Sequence, residues 1–578
     1  MEGNNHNLNE FGKGVYRLKN TNHFKYWPNR VAKTLTIPET TLFENLEISA
    51  KKYPDKIAFH YYGGTYTYSE ILKEVEYTAG YLEEELNVQK EEKILLFMQN
   101  SPQYIIAYLA ILRVQAVVVP INPMSTTNDL ELFVKDCEIK NVIIGQELFD
   151  KVYPLQVQNL IDNIIVATYS DYVNEEAALG ELPSEVSNPV NELENAILWS
   201  EIINKRFEAS IYKGKIDDVA AIPYTSGTTG LSKGCIHTNK TILANVIGPY
   251  YWMDYSSDAV VLTTLPLFHV TGLIHSALTP LYAGSTMVIL TRWDRDYAAK
   301  AIEKFECSHW INISTMLIDF LANPNLGNFD ISSLEFIGGG GASLPEAVGK
   351  QLYRRTGLRY VEGYGLTETM AQTHFNPPDR PKMECLGVPV FDLDARIIDM
   401  VNGEELGPNE EGELIVNGPQ LFKGYYNREE ENRESHIEID GKLFFKTGDI
   451  VKMDEEGYFY IVDRLKRMIN AAGYKVWPTE VESILYKHPA IQQACVVSAP
   501  DPKRGETVKA YVMLEDNSKG KVIEKDIIEW SKDQMAAYKR PRIVELRETF
   551  PTTASGKILW RQLQKETEEN ANEIERMI

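Results

Sequence analysis

Residues 224–234 read Tyr-Thr-Ser-Gly-Thr-Thr-Gly-Leu-Ser-Lys-Gly, and they directly follow the short apolar run 219–222. The apolar run predicts a buried strand, and the glycines after it let the backbone approach a ligand closely. Hydroxyl side chains and successive backbone N–H groups can surround phosphate oxygens, and a lysine adds positive charge. We therefore predict a phosphate-binding loop. Its residues are Thr225, Ser226, Gly227, Thr228, Thr229, Gly230 and Lys233.

This loop differs from the loop of P-loop NTPases. That loop requires glycine immediately before the lysine and serine or threonine immediately after it. Here Ser232 precedes Lys233 and Gly234 follows it. The hydroxyl that would hold magnesium is therefore missing, which excludes a P-loop NTPase.

The sequence around the loop alternates apolar runs with helical stretches as far as about residue 385. Lys93–Met98 and Asn141–Ile144 are typical of buried strands, and Ser101-Pro102 predicts the start of a helix that reaches about Val114. Such alternation is typical of parallel strands joined by crossover helices. The pattern predicts an α/β fold with large N-terminal sheets.

Beyond residue 385 the pattern changes twice. Short strands separated by turns such as Asn402-Gly403 predict a small antiparallel, barrel-like sheet. After Asp463-Arg464 about 110 residues carry an α+β pattern of their own, enough for a separate domain. We therefore predict an N-terminal domain over residues 1–463 and a small mobile C-terminal domain over residues 464–578.

The composition excludes several protein classes. Among 578 residues, 44% are hydrophobic and the formal net charge is −23, which indicates a globular chain and argues against nucleic-acid binding. The five cysteines have no paired spacing, so neither a zinc site nor a disulfide scaffold is expected. The longest apolar run, 105–121, contains Arg113 and Pro120, and no secretory signal is evident. We expect a cytoplasmic protein without a transmembrane segment, in which residues 1–40 form a surface extension. Whether the protein forms a homo-oligomer is left open by the sequence.

Four further segments carry groups suited to nucleotide chemistry, although none is specific alone. Residues 362–369 combine an aromatic turn with an acid, and Lys446-Thr-Gly-Asp449 ends a strand with a carboxylate that suits ribose hydroxyls. Residues 463–480 span the predicted domain boundary. Pro551-Thr-Thr-Ala-Ser-Gly-Lys557 is a turn that can expose its lysine.

These five segments, in this order, resemble the acyl-adenylate-forming superfamily of acyl-CoA synthetases, firefly luciferase and peptide-synthetase adenylation domains. The resemblance covers roughly residues 40–565. Within the superfamily, Leu265-Pro-Leu-Phe-His-Val-Thr-Gly272 and the four glycines 338–341 are most similar to the fatty acyl-CoA ligase branch. The resemblance implies that a carboxylic acid reacts with ATP to give acyl-AMP and pyrophosphate, and that the acyl group then passes to coenzyme A.

The resemblance also implies roles for single residues. The loop 225–233 would hold the β- and γ-phosphates of ATP, and Glu368 would bind Mg²⁺, a hard ion that prefers carboxylate oxygen. Lys557 would bridge the acid and the α-phosphate, where charge develops in the reaction. The remaining nucleotide contacts would come from Glu362, Gly363 and Tyr364 at the adenine, Thr367 at the α-phosphate, and Asp449 at the ribose with Arg464 nearby, and Gly365 would also bind ATP.

Further residues are assigned to the acid and to coenzyme A by the same resemblance. His269 would gate the acid pocket, with simple packing in the core as the alternative. The pocket itself would include Val270, Gly272, Gly339 and Gly341. The hinge between the two domains would be Lys466, and coenzyme A would meet Gly473, Tyr474, Lys539 and Arg540.

Several activities stay open at this point. We expect a medium- or long-chain fatty acid as substrate, and a short, hydroxylated or aryl acid is the alternative. A luciferase-like oxygenase has the same motifs. A ligase that loads a carrier protein usually has an insertion that residues 464–473 lack, and a non-catalytic relative usually loses either Glu368 or Lys557, which are both present.

Overall fold

The structure is a computed structural model that describes residues 18, 21–189, 193–225, 232–341, 343–464, 467–471, 474–501, 505–552 and 558–577. These residues form four β-sheets with helices packed against them. The mixed α/β architecture with large N-terminal sheets confirms the predicted fold class.

The first sheet has seven strands, parallel except for the last pair. Two of the predicted strands, Lys93–Met98 and Asn141–Ile144, occur here with ends shifted by one residue. The strands, in spatial order, are Ile197–Leu198, Asn163–Ala167, Asn141–Gly145, Lys93–Phe97, Val117–Pro120, Val219–Ala221 and His237–Thr238.

The second sheet has nine strands, of which the central six are parallel. Antiparallel strands complete both edges. The strands, in spatial order, are Val388–Pro389, Ala371–Phe375, Val361–Leu366, Phe336–Gly340, His309–Asn312, Val260–Thr263, Thr286–Ile289, Ile57–Tyr61 and Gly64–Thr67.

The third sheet is antiparallel, as the turn-rich sequence after residue 385 predicts. Its path runs Asp394–Ile398, Gly412–Asn417, Lys442–Met453 and His436–Ile439, and Phe459–Arg464 pairs with the long strand Lys442–Met453. Within the part of the chain that the structure describes, no pairing joins its two ends. The predicted barrel-like sheet is therefore a half-barrel.

The fourth sheet lies entirely after residue 464. Its strands are Tyr474–Val476, Ile469–Ala471, Gly505–Leu514 and Ile491–Asp501, and Ile543–Leu546 adds a parallel strand to Gly505–Leu514. The apolar cores of this region draw only on residues from Ile469 to Leu563. The region after residue 464 therefore has apolar cores of its own.

The helices pack on the faces of these sheets, and many begin with a side-chain cap. Thr41, Thr67 and Thr126 each close a capping box with an acidic residue three positions later. The α-helices are Leu42–Lys52, Tyr68–Glu84, Pro102–Arg113, Thr127–Cys137, Phe149–Val157, Ser184–Ser187, Trp199–Lys205, Asn239–Trp252, Val270–Leu273, Thr279–Ala283, Arg295–Phe305, Ser314–Leu321, Glu346–Thr356, Glu429–Glu434, Pro478–Leu485, Glu524–Gln534 and Trp560–Met577.

The longest apolar run of the sequence is explained by burial inside the protein. The helix Pro102–Arg113 begins where predicted, since the Ser101 side chain accepts from the Tyr104 N–H at 3.2 Å. All of its residues are buried, and it packs against the helices Tyr68–Glu84 and Leu42–Lys52. Among the described residues, no helix combines the length and apolar character that crossing a bilayer requires.

The predicted surface extension is only partly correct for the described part of the N-terminal segment. Trp27 is buried, with its ring edge-on to the rings of Trp252 and Phe391 at centroid distances of 4.6 and 5.3 Å. His23 is buried beside it. These aromatic side chains bury more apolar area than a free polar extension could, which fixes the segment to the N-terminal domain.

One buried amide holds the turn that follows Glu368. The Asn245 side chain donates to the carbonyl oxygens of Thr369, Met370 and Gln372 at 2.7, 3.0 and 3.1 Å. In that turn Met370 and Ala371 both have positive φ, 48° and 95°, which L-residues rarely adopt. The turn is therefore strained, and Asn245 supplies the donors that hold it.

We predict that Asn245→Ala lowers the free energy of unfolding by about 3 kcal/mol, because three buried carbonyl groups lose their donor. Chemical denaturation would measure the change. The control is Asn328→Ala, an exposed asparagine that should shift the value by less than about 0.5 kcal/mol. Equal effects of both substitutions would contradict the role given to Asn245.

Candidate active site

A cavity of about 400 Å³ lies between the nine-stranded sheet, the half-barrel and the start of the C-terminal helix. Its floor is formed at the carboxyl ends of parallel strands, where ligands commonly bind in open α/β sheets. Its described lining includes Thr225, Lys233, His269, Val270, His275, Ile311, Gly339, Gly340, Gly341, Gly363, Tyr364, Gly365, Thr367, Glu368, Gln372, Phe375, Tyr425, Lys446, Asp449, Trp560 and Arg561.

The two ends of the predicted phosphate loop are held together at the cavity. The Thr225 N–H donates to the Lys233 carbonyl at 2.9 Å, and the Lys233 N–H donates to the Thr225 hydroxyl at 3.3 Å. Tyr224 and Gly234 form a bridge one step further out. Ser226, Gly227, Thr228, Thr229 and Gly230 lie outside the described residues, and the closed base keeps both ends of this stretch at the cavity.

The base of the loop is anchored to the neighbouring helix by a polar network. The Tyr224 hydroxyl donates to an oxygen of Asp136 at 2.6 Å, and the other Asp136 oxygen is 2.8 Å from the Arg428 guanidinium. Arg428 follows the half-barrel segment that contains Tyr425. The network therefore links the loop, a helix of the first sheet and the half-barrel.

Tyr425 connects the predicted phosphate and metal residues. Its hydroxyl donates to Glu368 Oε1 at 2.7 Å, and its ring lies 4.4 Å from the Lys233 ammonium group. Burial, together with the Glu368 carboxylate, raises the pKa of Tyr425, so the hydroxyl stays a donor. A cation, an aromatic ring and a carboxylate thus lie side by side on one cavity wall.

Sequence reasoning missed Tyr425. The only local signal is Gly424, whose φ of 134° requires glycine and marks a forced turn just before the tyrosine. That turn lies nearly 60 residues after Glu368, so only the tertiary structure brings the two side chains together.

The predicted adenine residue Tyr364 and the predicted ribose residue Asp449 contact each other at the same cavity. The Tyr364 hydroxyl donates to Asp449 Oδ2, and the Asp449 carboxylate is almost fully buried. The Asp449 N–H donates to the Thr447 hydroxyl at 3.1 Å, and Asp449 pairs with the backbone of Arg464 across two strands. This arrangement fixes the carboxylate of Asp449 at the cavity edge.

Of the two predicted nucleotide residues Glu362 and Thr367, only Thr367 lines the cavity. Thr367 lines the cavity, and its carbonyl oxygen is 2.8 Å from His237 Nε2. Glu362 lies outside the described lining, where burial raises the pKa of its carboxyl to about 8 and the Glu384 N–H donates to it at 3.1 Å. A carboxyl group in this position supports the wall behind the cavity, whereas Gly363 and Gly365 line the cavity directly.

His269 is exposed to the cavity rather than packed in the core. Its Nδ1 accepts from the Thr271 N–H at 3.3 Å, so the imidazole begins the helix Val270–Leu273. Val270, Gly339 and Gly341 line the same region. The placement favours the gating interpretation of His269 over the packing one.

The acid-pocket assignment of Gly272 needs correction. Gly272 is absent from the described lining, and a Cβ atom there would lie 2.2 Å from the Pro266 carbonyl oxygen. Its missing side chain therefore permits close contact between the helix and the preceding segment. It leaves no room for an acyl chain.

The C-terminal region reaches the cavity through the start of its last helix. Trp560 and Arg561 line the cavity, and Thr552 and Ile558, which precede them, form a backbone bridge. Lys557 itself lies outside the described residues, directly before Ile558. The two lining residues follow Lys557 by three and four positions.

Of the other predicted C-terminal residues, Lys539 and Arg540 are absent from the described lining of the cavity. Lys539 forms an ion pair with Glu480, and the Arg540 Nε donates to the Met535 carbonyl at 3.0 Å. Only the backbone of Arg464 and of Tyr474 is described, at the end of one strand and the start of another. Lys466 and Gly473 lie outside the described residues.

The described residues contain no cluster of three or more His, Cys, Asp or Glu side chains that could hold a metal ion by themselves. A single carboxylate fits Mg²⁺ nevertheless, because this ion is commonly held by one or two carboxylates together with substrate phosphates and water. Glu368 is a carboxylate of this kind, held in place by Tyr425 and turned towards the cavity.

Comparison with known proteins agrees with this geometry. The family profile of AMP-binding enzymes matches residues 46–426, and that of the AMP-binding enzyme C-terminal domain matches residues 480–557. A long-chain-fatty-acid–CoA ligase from Bacillus subtilis (strain 168) is 36% identical over 560 residues, covering 94% of this chain and 98% of its own. A long-chain-fatty-acid–CoA ligase from Escherichia coli O157:H7 is 30% identical over 540 residues, which cover 91% of this chain and 94% of that ligase.

A solved structure extends the comparison to the fold. The o-succinylbenzoate-CoA synthetase of Bacillus subtilis, in complex with its acyl-adenylate intermediate, is 26% identical and has a TM-score of 0.76. The match covers 91% of this chain and 98% of that enzyme. The matched profile and the identities along nearly the whole chain show that this protein belongs to the AMP-binding enzyme family, in its acyl-CoA ligase branch.

Proposed function

We propose that this protein activates a medium- or long-chain fatty acid with ATP as acyl-AMP, and then transfers the acyl group to coenzyme A. The observation that carries this proposal is one cavity whose described lining combines two sets of side chains, called here its polar half and its apolar half. Lys233, Glu368 and Asp449 suit a nucleotide and belong to the polar half, and apolar side chains such as Val270 and Phe375 belong to the apolar half. The two ligases compared above support a fatty acid as the substrate.

The two-step reaction follows from the chemistry of the acid. A carboxylate is a poor acyl donor because its leaving group would be an oxide ion. Attack of a carboxylate oxygen on the α-phosphorus of ATP forms an acyl–phosphate bond and breaks the bond to pyrophosphate. AMP then becomes the leaving group when a thiol attacks the acyl carbon.

The chain's own residues position ATP for this attack. The backbone N–H groups and hydroxyls of loop 225–233 bind the β- and γ-phosphates, and Lys233 neutralises part of their charge. Asp449 accepts from the ribose hydroxyls, near the backbone of Arg464. Tyr364 and its neighbouring glycines lie against the adenine. Thr367 lies at the α-phosphate.

Glu368 would hold Mg²⁺, which when bound supplies charge neutralisation to the phosphate oxygens. Tyr425 orients the Glu368 carboxylate by its hydrogen bond. His269 borders the acid at the entrance of the apolar half of the cavity. Lys557 would reach the oxygens of the acid and of the α-phosphate, where negative charge develops, from the turn that precedes Trp560.

We further propose that residues 1–463 and 464–578 act as two domains that change orientation between the two steps. Lys466 is the proposed hinge, since the described backbone passes from one sheet to the next around it. After rotation Gly473 and Tyr474 would line the path of the coenzyme A thiol, and Lys539 and Arg540 would meet its phosphates. A reducing, cytoplasmic location is supported by five buried cysteines without disulfides.

We predict that Lys557→Ala reduces fatty-acid-dependent exchange of pyrophosphate into ATP by about 10²–10³-fold, because the developing charge loses its partner. Thioester formation from a supplied acyl-adenylate should be largely unchanged. Lys565→Ala, at an exposed lysine of the last helix, is the matched control and should leave both half-reactions intact. Equal loss of both half-reactions in Lys557→Ala would refute its role.

Tyr425→Phe tests the orientation of the Glu368 carboxylate. The substitution keeps the ring beside Lys233 and removes one hydrogen bond to a charged group, so kcat/KM for MgATP should fall about 10-fold or more. The KM for the acid should stay unchanged. Tyr426→Phe is the neighbouring control, and similar kinetics of the two variants would show that the Tyr425 hydroxyl is unimportant.

The reaction itself is tested with a panel of acids from two to eighteen carbons, with ATP and coenzyme A. We expect AMP, pyrophosphate and acyl-CoA, with the highest kcat/KM for medium or long chains. Formation of ADP and phosphate would contradict adenylation. AMP without acyl-CoA would indicate a carrier protein as the thiol, and a preference for aryl or short acids would replace the fatty acid.

A further inference from the structure

Two polar side chains lie in the apolar half of the cavity. His275 and Gln372 both line it, although His275 is only 2% exposed and Gln372 only 5%. Val270, Ile311 and Phe375 line the same cavity with apolar surface. An alkyl chain alone would require no polar atoms at this position.

Each of the two side chains has a buried polar atom that no described residue meets at normal hydrogen-bond distance. Among the described residues, neither Nδ1 of His275 nor Oε1 of Gln372 has a hydrogen-bond partner. The amide of Gln372 donates only a long bond of 3.4 Å to the Asn245 carbonyl. Buried polar atoms in folded proteins are nearly always paired, so a partner from outside the chain is expected here.

The position of the pair places that partner along the acid rather than at its reacting end. His275 follows His269 by six residues, which is about 9 Å along a helix. It lies in a π-helical turn, Ile274–Leu278, a feature often found at functional sites. On the far side, Gln372 and Phe375 also line a second small cavity with Trp252 and Phe391.

The chemistry of the pair selects one kind of group. Burial lowers the pKa of His275 to about 3, and the only opposing effect is a contact with the Gln372 side chain that is too weak to count as a normal hydrogen bond, so the imidazole is neutral at working pH. No charged group contributes to this shift, and a second carboxylate would therefore be buried without a counter-ion. A carbonyl oxygen could accept from the imidazole but would leave Oε1 of Gln372 unpaired. A hydroxyl can accept from Nδ1–H and donate to Oε1.

We propose that His275 and Gln372 bind a hydroxyl group in the middle of the acyl chain, so that mid-chain hydroxy fatty acids are the preferred substrates. This inference rests on the proposed acyl-CoA ligase function and narrows its substrate class. The two side chains are specificity residues, and the reacting atoms lie elsewhere in the cavity.

The test is a panel of monohydroxy fatty acids of one chain length, in which the hydroxyl moves from carbon 2 to the terminal carbon. For the unaltered protein, kcat/KM for one or two mid-chain isomers should exceed that of the parent acid by about 10-fold. His275→Phe and Gln372→Leu should each lower the ratio of kcat/KM for that isomer to kcat/KM for the parent acid to about one or below. His275→Gln, which keeps a donor and an acceptor, should retain part of it.

The matched control is Thr271→Val, which removes a hydroxyl from another cavity-lining residue, nearer to His269, and should leave the ratio of kcat/KM values unchanged. The inference is overturned if the parent acid is used at least as well as every hydroxylated isomer, because water then satisfies the pair. If no acid in the panel yields AMP, the proposed function itself fails. If His275→Phe does not fold, Gln372→Leu tests the same site from the strand Ala371–Phe375.

Discussion

The site depends on strands that approach each other without side chains. Gly340 lies beside Gly363, where a Cβ atom would come within 2.4 Å of the Gly363 carbonyl oxygen. Gly365 lies even closer to Ala371, because a Cβ atom on Gly365 would come within 1.8 Å of the Ala371 carbonyl oxygen. Because these strands pack backbone to backbone, their ends leave an open floor between the sheet and the half-barrel. The proposed meeting place of the nucleotide and the acid is above this floor.

The functional side chains are supplied around this floor by elements that are far apart in sequence. Lys233 comes from the loop after the seven-stranded sheet, Glu368 from the turn after a strand of the nine-stranded sheet, and Tyr425 from the half-barrel. Asn245 holds the Glu368 turn from a fourth element, a buried helix. The polar half of the cavity is therefore an assembly of several layers, and none of its parts would keep its geometry alone.

The site also explains how an acidic chain can bind anionic ligands. A formal net charge of −23 opposes the long-range attraction of polyanions, and both proposed ligands, ATP and coenzyme A, are polyanions. The cavity offers backbone N–H groups at the loop base, a lysine beside an aromatic ring and, as proposed, one carboxylate for Mg²⁺. Local groups of this kind act at hydrogen-bond distance, whereas the net charge governs solubility and long-range attraction.

Local sequence patterns were enough to predict the α/β class and the change to antiparallel strands after residue 385, because both depend on periodicity. The start of the helix at Ser101-Pro102 follows from a cap, and the family follows from motifs in a fixed order. The tertiary structure alone decided what lies next to what. It brought Tyr425 to Glu368 across almost 60 residues, removed Gly272 from the acid pocket through its contact with Pro266, and set His275 opposite Gln372. Contacts between distant segments depend on how sheets and helices pack, and local sequence patterns do not predict that packing.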